Sequence, residues 1–244
     1  MHVIGACKTT PGRIRISNED NVFLDGIWIE EGSRAGQSHA AAEPSYHTFA
    51  VCDGMGGESF GEIASLLAVK TLGSYDGPDL GERFREYIET ANRVICDEAS
   101  RRLVNQMGAA IAVLSISGDR AAICNLGDCR IYRYDSKGLR QLSVDHRAEM
   151  PGLGKGMLTQ HLGISEEEFV LEPYIVRDIP LESGMMFLMC SDGLTDMVPD
   201  TVLEGYLRES SGEKPAAIAG KLLQVAVEHG GRDNITALIV RINP

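Results

Sequence analysis

Apolar runs joined by very short turns are the feature that most constrains how this chain folds. In the middle of the chain, the run Ala109–Ser117 is followed by Ala121–Leu126 after a turn at Gly118-Asp119. The next two runs, Arg130–Tyr134 and Leu139–Leu142, are separated by only four residues. Connections this short join antiparallel strands, because a parallel pair needs a crossover of about a dozen residues or more. The pattern therefore predicts antiparallel sheet.

Outside this region, strands and helices occur in separate blocks. Further strands are predicted at Val3–Cys7, Val22–Leu24, Trp28–Glu30, His47–Cys52, Glu172–Ile179, Met185–Cys190 and Asn234–Ile242. Helices are predicted at Glu58–Leu72, from Asp79 to about Leu103, at Asp200–Glu209 and at Lys214–His229. Such blocks indicate an α+β fold, in which helix pairs cover two antiparallel sheets. The Gly-, Ala- and Ser-rich stretch Glu31–Ser45 is predicted to be a surface loop.

Length and composition fit one globular domain. The chain has 244 residues, of which 43% are hydrophobic and 24% are charged, as in ordinary folded domains. We therefore expect residues 1–244 to form a single domain. The chain contains neither glycine-rich nucleotide fingerprint, G-x-G-x-x-G or G-x-x-x-x-G-K-[ST], and no regular βαβ alternation. A doubly wound nucleotide-binding fold is thereby excluded.

Charge and cysteine content limit the partners and the compartment. The formal net charge is −12 and no basic stripe is present, which argues against nucleic acid as a partner. No segment approaches the ~20 apolar residues of a membrane span, and the N-terminus lacks the apolar core of a signal peptide. The six cysteines include no C-x-x-C pair, which indicates reduced thiols. We expect a cytoplasmic protein that binds neither nucleic acid nor membrane.

Aspartates occur at the ends of predicted strands. Four of them lie close to glycine and a fifth precedes a strand: Asp53, Asp128, Asp192, Asp233 and Asp20. A carboxylate at the end of a buried strand is costly unless it is paired or binds a cation. Several such groups converging from different strands would form a site of hard oxygen ligands, which suits Mg²⁺ or Mn²⁺.

The same residues have simpler interpretations. Aspartate beside glycine is a common turn signal, and Asp128 in Gly-Asp-Cys-Arg, taken alone, fits a turn better than a metal site. Asp53 is followed by three glycines in four positions, which indicates an unusual backbone path. Arg15, five residues before Asp20, either binds a phosphate group through its fork or is a surface charge. The pattern alone leaves these alternatives open.

Seven short segments, in this order, resemble the metal-dependent protein phosphatases, the type 2C serine/threonine phosphatase family. They are Gly12-x-x-Arg15-x-x-Asn18-Glu19-Asp20; Val51-Cys52-Asp53-Gly54-Met55-Gly56-Gly57 with Gly61-Glu62-x-Ala64-Ser65; Asn125-Leu126-Gly127-Asp128-x-Arg130-x-Tyr132; Asp145-His146; Leu158-Thr159-Gln160-x-Leu162-Gly163; Cys190-Ser191-Asp192-Gly193-Leu194; and Asp233-Asn234-Ile235-Thr236. They extend from residue 12 to residue 236 and so cover nearly the whole chain.

The resemblance implies a four-layer αββα sandwich and a metal site with two Mn²⁺ or Mg²⁺ ions. Asp53 would bridge the two ions. Gly54 would offer its carbonyl oxygen to one of them, and Asp192 and Asp233 would hold the other. Asp128 would pair with Asp192 around a third, weaker ion.

The resemblance also assigns roles beside the ions. Glu19 and Asp20 would bind a metal directly or through water, Arg15 would hold the substrate phosphate, and Asn234 would orient the neighbouring ligand. The residues implied to be catalytic are Arg15, Asp53, Asp192 and Asp233. The implied activity is hydrolysis of phosphoserine and phosphothreonine in proteins by a hydroxide that bridges the two ions. The partners would be phosphorylated protein substrates of a serine/threonine kinase.

The chain departs from the family pattern at several places, including Gly108-Ala109-Ala110 before the central strand and Cys129 in place of a usual serine; two further departures bear on the active site. Met55 stands where some members carry histidine. The segment 147–157, eleven residues long, is shorter than the flap that the family usually has beside the active site. Two alternatives therefore accompany the main hypothesis. The chain would be a catalytically weak regulatory or binding member of the same fold, or a phosphatase acting on a sigma-factor regulator.

Overall fold

The computed structural model describes residues 1–30, 46–56, 60–148, 156–165 and 170–243, and the backbone alone at 38–40. Two six-stranded sheets form its centre. Sheet 1 consists of β1 (His2–Thr10), β4 (Ser38–Ala40), β8 (Arg130–Asp135), β9 (Gly138–Gln141), β11 (Met186–Cys190) and β12 (Ile235–Asn243). Its strand order is β4-β1-β12-β11-β8-β9, and every neighbouring pair is antiparallel.

Sheet 2 is antiparallel throughout as well. It consists of β2 (Asp20–Leu24), β3 (Ile27–Trp28), β5 (Tyr46–Met55), β6 (Gly108–Ser117), β7 (Arg120–Leu126) and β10 (Tyr174–Pro180). Its order is β10-β7-β6-β5-β2-β3. The antiparallel pairing predicted from the short turns is therefore confirmed for β6 with β7 and for β8 with β9.

Helices cover the outer face of each sheet and complete four layers. Helices α1 (Phe60–Gly73) and α2 (Leu80–Arg102) pack on sheet 2. Helices α3 (Asp192–Thr195), α4 (Asp200–Glu209) and α5 (Pro215–Glu228) lie on the side of sheet 1. The predicted αββα sandwich is confirmed. Among the described residues, no helix has the length and apolar content needed to cross a membrane.

Burial on both faces explains why the central strands are almost continuously apolar. In β6, Ile111 and Val113 contact the helices over sheet 2, whereas Ala112 and Leu114 contact sheet 1. Side chains alternate between the two faces of a strand. A strand covered on both faces therefore needs an apolar residue at every position, unlike a strand with one wet face. The sandwich thus contains three apolar layers, one between the sheets and one under each helix layer.

Several predicted strand boundaries differ from the structure: for example, the strands predicted at Val3–Cys7 and His47–Cys52 extend to Thr10 and Met55. At two other boundaries, side chains explain the difference. The strand predicted at Trp28–Glu30 ends at Trp28, because the backbone of Ile29 is bound by the side chain of Asn21 at 3.0 and 3.1 Å. The strand predicted from Glu172 begins at Tyr174. The N–H of Glu172 donates to Gln160 Oε1 at 3.1 Å, and Pro173 has no N–H for the sheet.

Two elements were missed by the sequence analysis. The stretch predicted to be a surface loop, Glu31–Ser45, contains β4, which pairs with β1. The four-residue helix α3 follows β11 directly and is too short for an apolar period to reveal it. The predicted start of the first helix at Glu58, and residues 149–155 of the short segment 147–157, lie outside the described residues.

Candidate metal centre

An acidic cleft lies at one end of the sandwich, where strands of both sheets end or begin. Its volume is about 250 Å³. The lining residues are Arg15, Glu19, Asp53, Gly54, Met55, Gly56, Ala110, Asp128, Arg147, Leu158, Asp192 and Asp233. Seven of the nine residues that sequence reasoning selected therefore share one cavity, and the other two, Asp20 and Asn234, contact its walls.

Asp20 and Asp53 lie opposite each other on neighbouring strands of sheet 2. They are directly paired in the antiparallel register of β2 and β5. The Asp20 carboxylate reaches toward sheet 1, where its Oδ2 accepts hydrogen bonds from Ser191 Oγ at 2.7 Å and Thr236 Oγ1 at 2.5 Å. Asp20 therefore ties the two sheets together at the floor of the cleft.

The buried position of Asp20 is electrostatically unfavourable. The residue is 4% exposed, and Oδ1 has no hydrogen-bond partner among the described residues. Burial raises the pKa of Asp20 to about 7, against the two hydroxyl donors, and the charges of Asp192 and Asp233 add to the increase. A buried carboxylate oxygen without a donor is costly, and a cation in the cleft would remove that cost.

Asp53 lies at the centre of the carboxylate group. Burial raises its pKa well above the usual range, and the negative charges of Asp20, Asp192, Asp128 and Asp233 raise it further. Every one of these causes opposes the ionised form. None of the described residues forms an ion pair with this carboxylate, which is what a site for an external cation requires.

Gly54 is required by close packing. A Cβ atom here would collide with the carbonyl of Gly61 at the start of α1 and would lie 2.7 Å from the carbonyl oxygen of Glu19. The N–H of Gly54 donates to that same Glu19 oxygen at 3.2 Å. Helix α1 and the segment before β2 can therefore approach the end of β5 only because residue 54 has no side chain.

Asp233 and Arg15 form the open side of the cleft. Arg15 Nη2 donates to Asp233 Oδ2 at 2.7 Å, and both side chains are substantially exposed. Asn234 fixes the backbone around them: its N–H donates to Asp233 Oδ1 and its Oδ1 accepts the N–H of Glu19, both at 2.8 Å. Burial is the largest cause that raises the pKa of Glu19, and the charge of Arg15 opposes it.

Asp128 and Asp192 close the opposite side, together with an arginine that sequence reasoning missed. Arg147 donates to Asp128 Oδ2 through Nε at 2.7 Å and also through Nη2, and Nη2 donates to Asp192 Oδ2 at 2.8 Å. The one available signal was position: Arg147 directly follows Asp145-His146 and begins the shortened segment 147–157.

The donor set suits divalent metal ions. It consists of carboxylates and the backbone carbonyl of Gly54, and oxygen-only ligation is characteristic of Mg²⁺ and Mn²⁺. Within the described ranges, no three Asp, Glu, His or Cys side chains are already gathered in the geometry of a formed metal site. Arg15 instead pairs with Asp233, and Arg147 pairs with Asp128 and Asp192.

Comparison with known proteins adds a family to this geometry. The family model described as protein phosphatase 2C matches residues 35–213, a range that includes Asp53, Asp128 and Asp192. A serine/threonine phosphatase, Stp of Listeria welshimeri, is 31% identical over 261 residues, which cover 97% of this chain and 94% of that protein.

Solved structures have the same architecture. PppA of Pseudomonas aeruginosa superposes with a TM-score of 0.80 at 28% identity, covering 99% of this chain and 98% of that one. The catalytic domain of the serine/threonine protein phosphatase PstP, solved in complex with two manganese ions, has a TM-score of 0.79 at 23% identity. It covers 99% of this chain and 100% of its own, and this similarity concerns the fold alone.

Proposed function

The chain belongs to the protein phosphatase 2C family and is a metal-dependent serine/threonine protein phosphatase, and we propose that its acidic cleft is where phosphoserine and phosphothreonine in protein substrates are hydrolysed. One observation carries the assignment of the site. Carboxylates from both sheets converge on the cavity, where Asp53 is paired with Asp20 and no described cationic side chain forms an ion pair with either.

The ligands are proposed from the cleft lining. Asp53, the Gly54 carbonyl, Asp192 and Asp233 would hold two Mn²⁺ or Mg²⁺ ions, with Glu19 and Asp20 bound directly or through water. When bound, the ions supply the positive charge that activates a water molecule and stabilises the phosphoryl group. The buried Oδ1 of Asp20 and the raised pKa of Asp53 support this set, because both are penalties that a cation would relieve.

Arg15 is proposed to bind the substrate phosphate. It lies on the open side of the cleft, and its guanidinium group already holds a carboxylate, Asp233, at 2.7 Å. A planar fork of donors suits two phosphate oxygens as well as two carboxylate oxygens. When an ion takes Asp233, the Arg15 fork becomes available to the phosphate. Asn234 keeps Asp233 and the backbone of Glu19 in place through its two 2.8 Å contacts.

Finer assignments are also proposals. The substrates would be proteins phosphorylated by a serine/threonine kinase, and residues 1–244 would form one catalytic domain with the short segment 147–157 beside its cleft. A cytoplasmic location is supported by the six cysteines, all of which are described and none of which forms a disulfide, as suits a reducing compartment. Neither a purely binding role nor a sigma-factor regulator as substrate is favoured by a specific observation in the cleft.

The experiment is hydrolysis of a phosphothreonine peptide, with Mn²⁺ and then with excess EDTA. We expect phosphate release that requires Mn²⁺ and stops when the chelator is added. The Asp53→Asn variant, nearly identical in shape, serves as the matched control and is expected to be inactive at every Mn²⁺ concentration. Turnover that persists in EDTA, or in the variant, would rule out the proposed metal mechanism.

A further inference from the structure

Arg147 holds two of the proposed metal ligands at once. Its guanidinium group contacts Asp128 and Asp192, which belong to segments that follow different strands, β7 and β11. The Asp128 side chain is 4% exposed, that of Asp192 18% and that of Arg147 21%. These charges are thus largely shielded from solvent, where ion pairs with several hydrogen bonds are strong.

The base of the short segment 147–157 holds Arg147 in this position. Arg147 forms an isolated β-bridge with Leu158, and the next residue, Ala148, donates its N–H to the carbonyl of Met157 at 2.9 Å. Arg147 Nη1 also donates to the carbonyl of Gly156 at 2.8 Å. The two ends of the segment therefore fix the backbone of Arg147 and its Nη1 group. The Nε and Nη2 groups donate to the carboxylates.

The charge balance of the cleft fits this arrangement. Among the described residues, the cleft lining contains five carboxylates and two guanidinium groups, those of Arg15 and Arg147, and Asp20 is paired with Asp53 beside them. Arg147 already supplies a positive charge at Asp128 and Asp192. A third divalent ion between Asp128 and Asp192 would place its charge against that of Arg147 at a few ångströms, where the repulsion is large.

We propose that the Arg147 guanidinium takes the place of a third divalent ion between Asp128 and Asp192, so that this chain binds two ions and positions Asp192 with its own cation. The inference rests on the proposed function, because it assumes that the other carboxylates hold the two ions. Arg147 acts here through Asp192 and is a positioning residue.

The test counts bound Mn²⁺, which does not depend on activity. Calorimetric titration of the full chain with Mn²⁺ is expected to give two sites. Arg147→Met, which keeps the length of the side chain but removes its charge, is expected to show a third site that is absent from the wild type. The double variant Arg147→Met/Asp128→Asn is expected to return to two sites.

Two further variants keep the test decisive. Asp128→Asn alone preserves shape and is expected to bind two ions, whereas the loss of an ion would mean that Asp128 already holds one and would overturn the inference. Arg133→Met is the matched control, because Arg133 pairs with Asp135 at 2.8 Å with similar exposure but lies on β8 outside the cleft lining. The Arg133→Met variant is expected to bind two ions.

The outcomes separate this inference from the proposed function. Three sites in the wild type, or two in Arg147→Met, would overturn the inference while leaving the metal mechanism intact. If the wild type binds no Mn²⁺, or if the Asp53→Asn variant binds as many Mn²⁺ ions as the wild type, both the proposed function and the inference fail.

Discussion

Asp145 and Asp53 show how differently this fold treats two acidic groups. The Asp145 carboxylate receives Arg130 Nη2 at 2.7 Å, Arg130 Nε at 3.0 Å and Gln141 Nε2 at 2.9 Å. Asp53 instead faces Asp20, and burial and four neighbouring carboxylates raise its pKa. One aspartate has its cation built into the chain, whereas the other lies among like charges.

The contrast indicates which acidic residues stabilise the fold and which serve its chemistry. A saturated pair such as Arg130–Asp145 contributes to the folded state whether or not metal is present. Like-charged carboxylates in a cleft destabilise the metal-free protein, and under the proposed function a bound ion reverses the sign of that contribution.

The largest expected effect follows from neutralising Asp53. Asp53→Asn should lower Mn²⁺-dependent phosphopeptide hydrolysis by more than about 100-fold. Mutation of a residue that only contacts a metal ligand already lowers metal affinity or activity about 10–100-fold. The same change should raise the melting temperature in EDTA, because one of the repelling charges is gone. Steady-state kinetics and thermal denaturation of the same sample check both. A variant that loses activity and also loses stability without metal would contradict the contrast.

A smaller loss is expected at the open side of the cleft. Arg15→Ala should reduce kcat/KM for a phosphothreonine peptide about 10–100-fold, because a preorganised charged donor to the phosphoryl oxygens is lost. Arg15→Lys keeps the charge without the fork and should be intermediate. Calorimetry should still give two Mn²⁺ sites in both variants. If Arg15→Ala lost a metal site instead, Arg15 would act by holding Asp233 rather than the phosphate.

Much of the fold could be predicted from the sequence, because short turns and apolar periods are local signals. The β6–β7 and β8–β9 hairpins follow from turns of a few residues. Strand ends were less predictable where a distant side chain takes over the hydrogen bonds of the backbone. Asn21 does this at Ile29, and Gln160 does it at Glu172. No local pattern reveals these contacts.

The candidate site divides in the same way. Asp53, Asp192 and Asp233 were identifiable because aspartate beside glycine at a strand end is visible in the sequence, and the resemblance to a family gave them roles. Arg147 was not identifiable, because only the fold brings it against Asp128 and Asp192. The reason for Gly54 was also hidden, since the crowding comes from Gly61 and Glu19 in other segments.

Loss of the Arg130–Asp145 pair should lower the stability of the protein without affecting the metal site. Asp145→Asn leaves Arg130, which is 20% exposed, without a carboxylate at 2.7 Å, and should cost about 2–3 kcal/mol of unfolding free energy. Asp119→Asn is the control, because Asp119 is 74% exposed and its 3.8 Å pair with Arg120 should contribute almost nothing. Urea unfolding in EDTA measures both. Equal losses in the two variants would mean that the burial of the Asp145 pair is irrelevant.

The most direct measure of the repelling side is the pH dependence of metal-free stability, which changes little with each pH unit. Asp20 titrates near 4 when unfolded, and burial raises its pKa to about 7 in the folded protein. Between these values the folded state binds the extra proton, so the contribution of Asp20 to stability is greatest below about pH 4 and falls as pH rises toward 7, by about 1 kcal/mol per pH unit. Saturating Mn²⁺ should reverse the slope, since metal binding requires ionised carboxylates.

Thermal denaturation across this pH range in EDTA, with Asp20→Asn for comparison, measures the slope directly. Asp20→Asn should flatten the decline, whereas a slope as steep as that of the wild type would place the unfavourable charge elsewhere in the cleft.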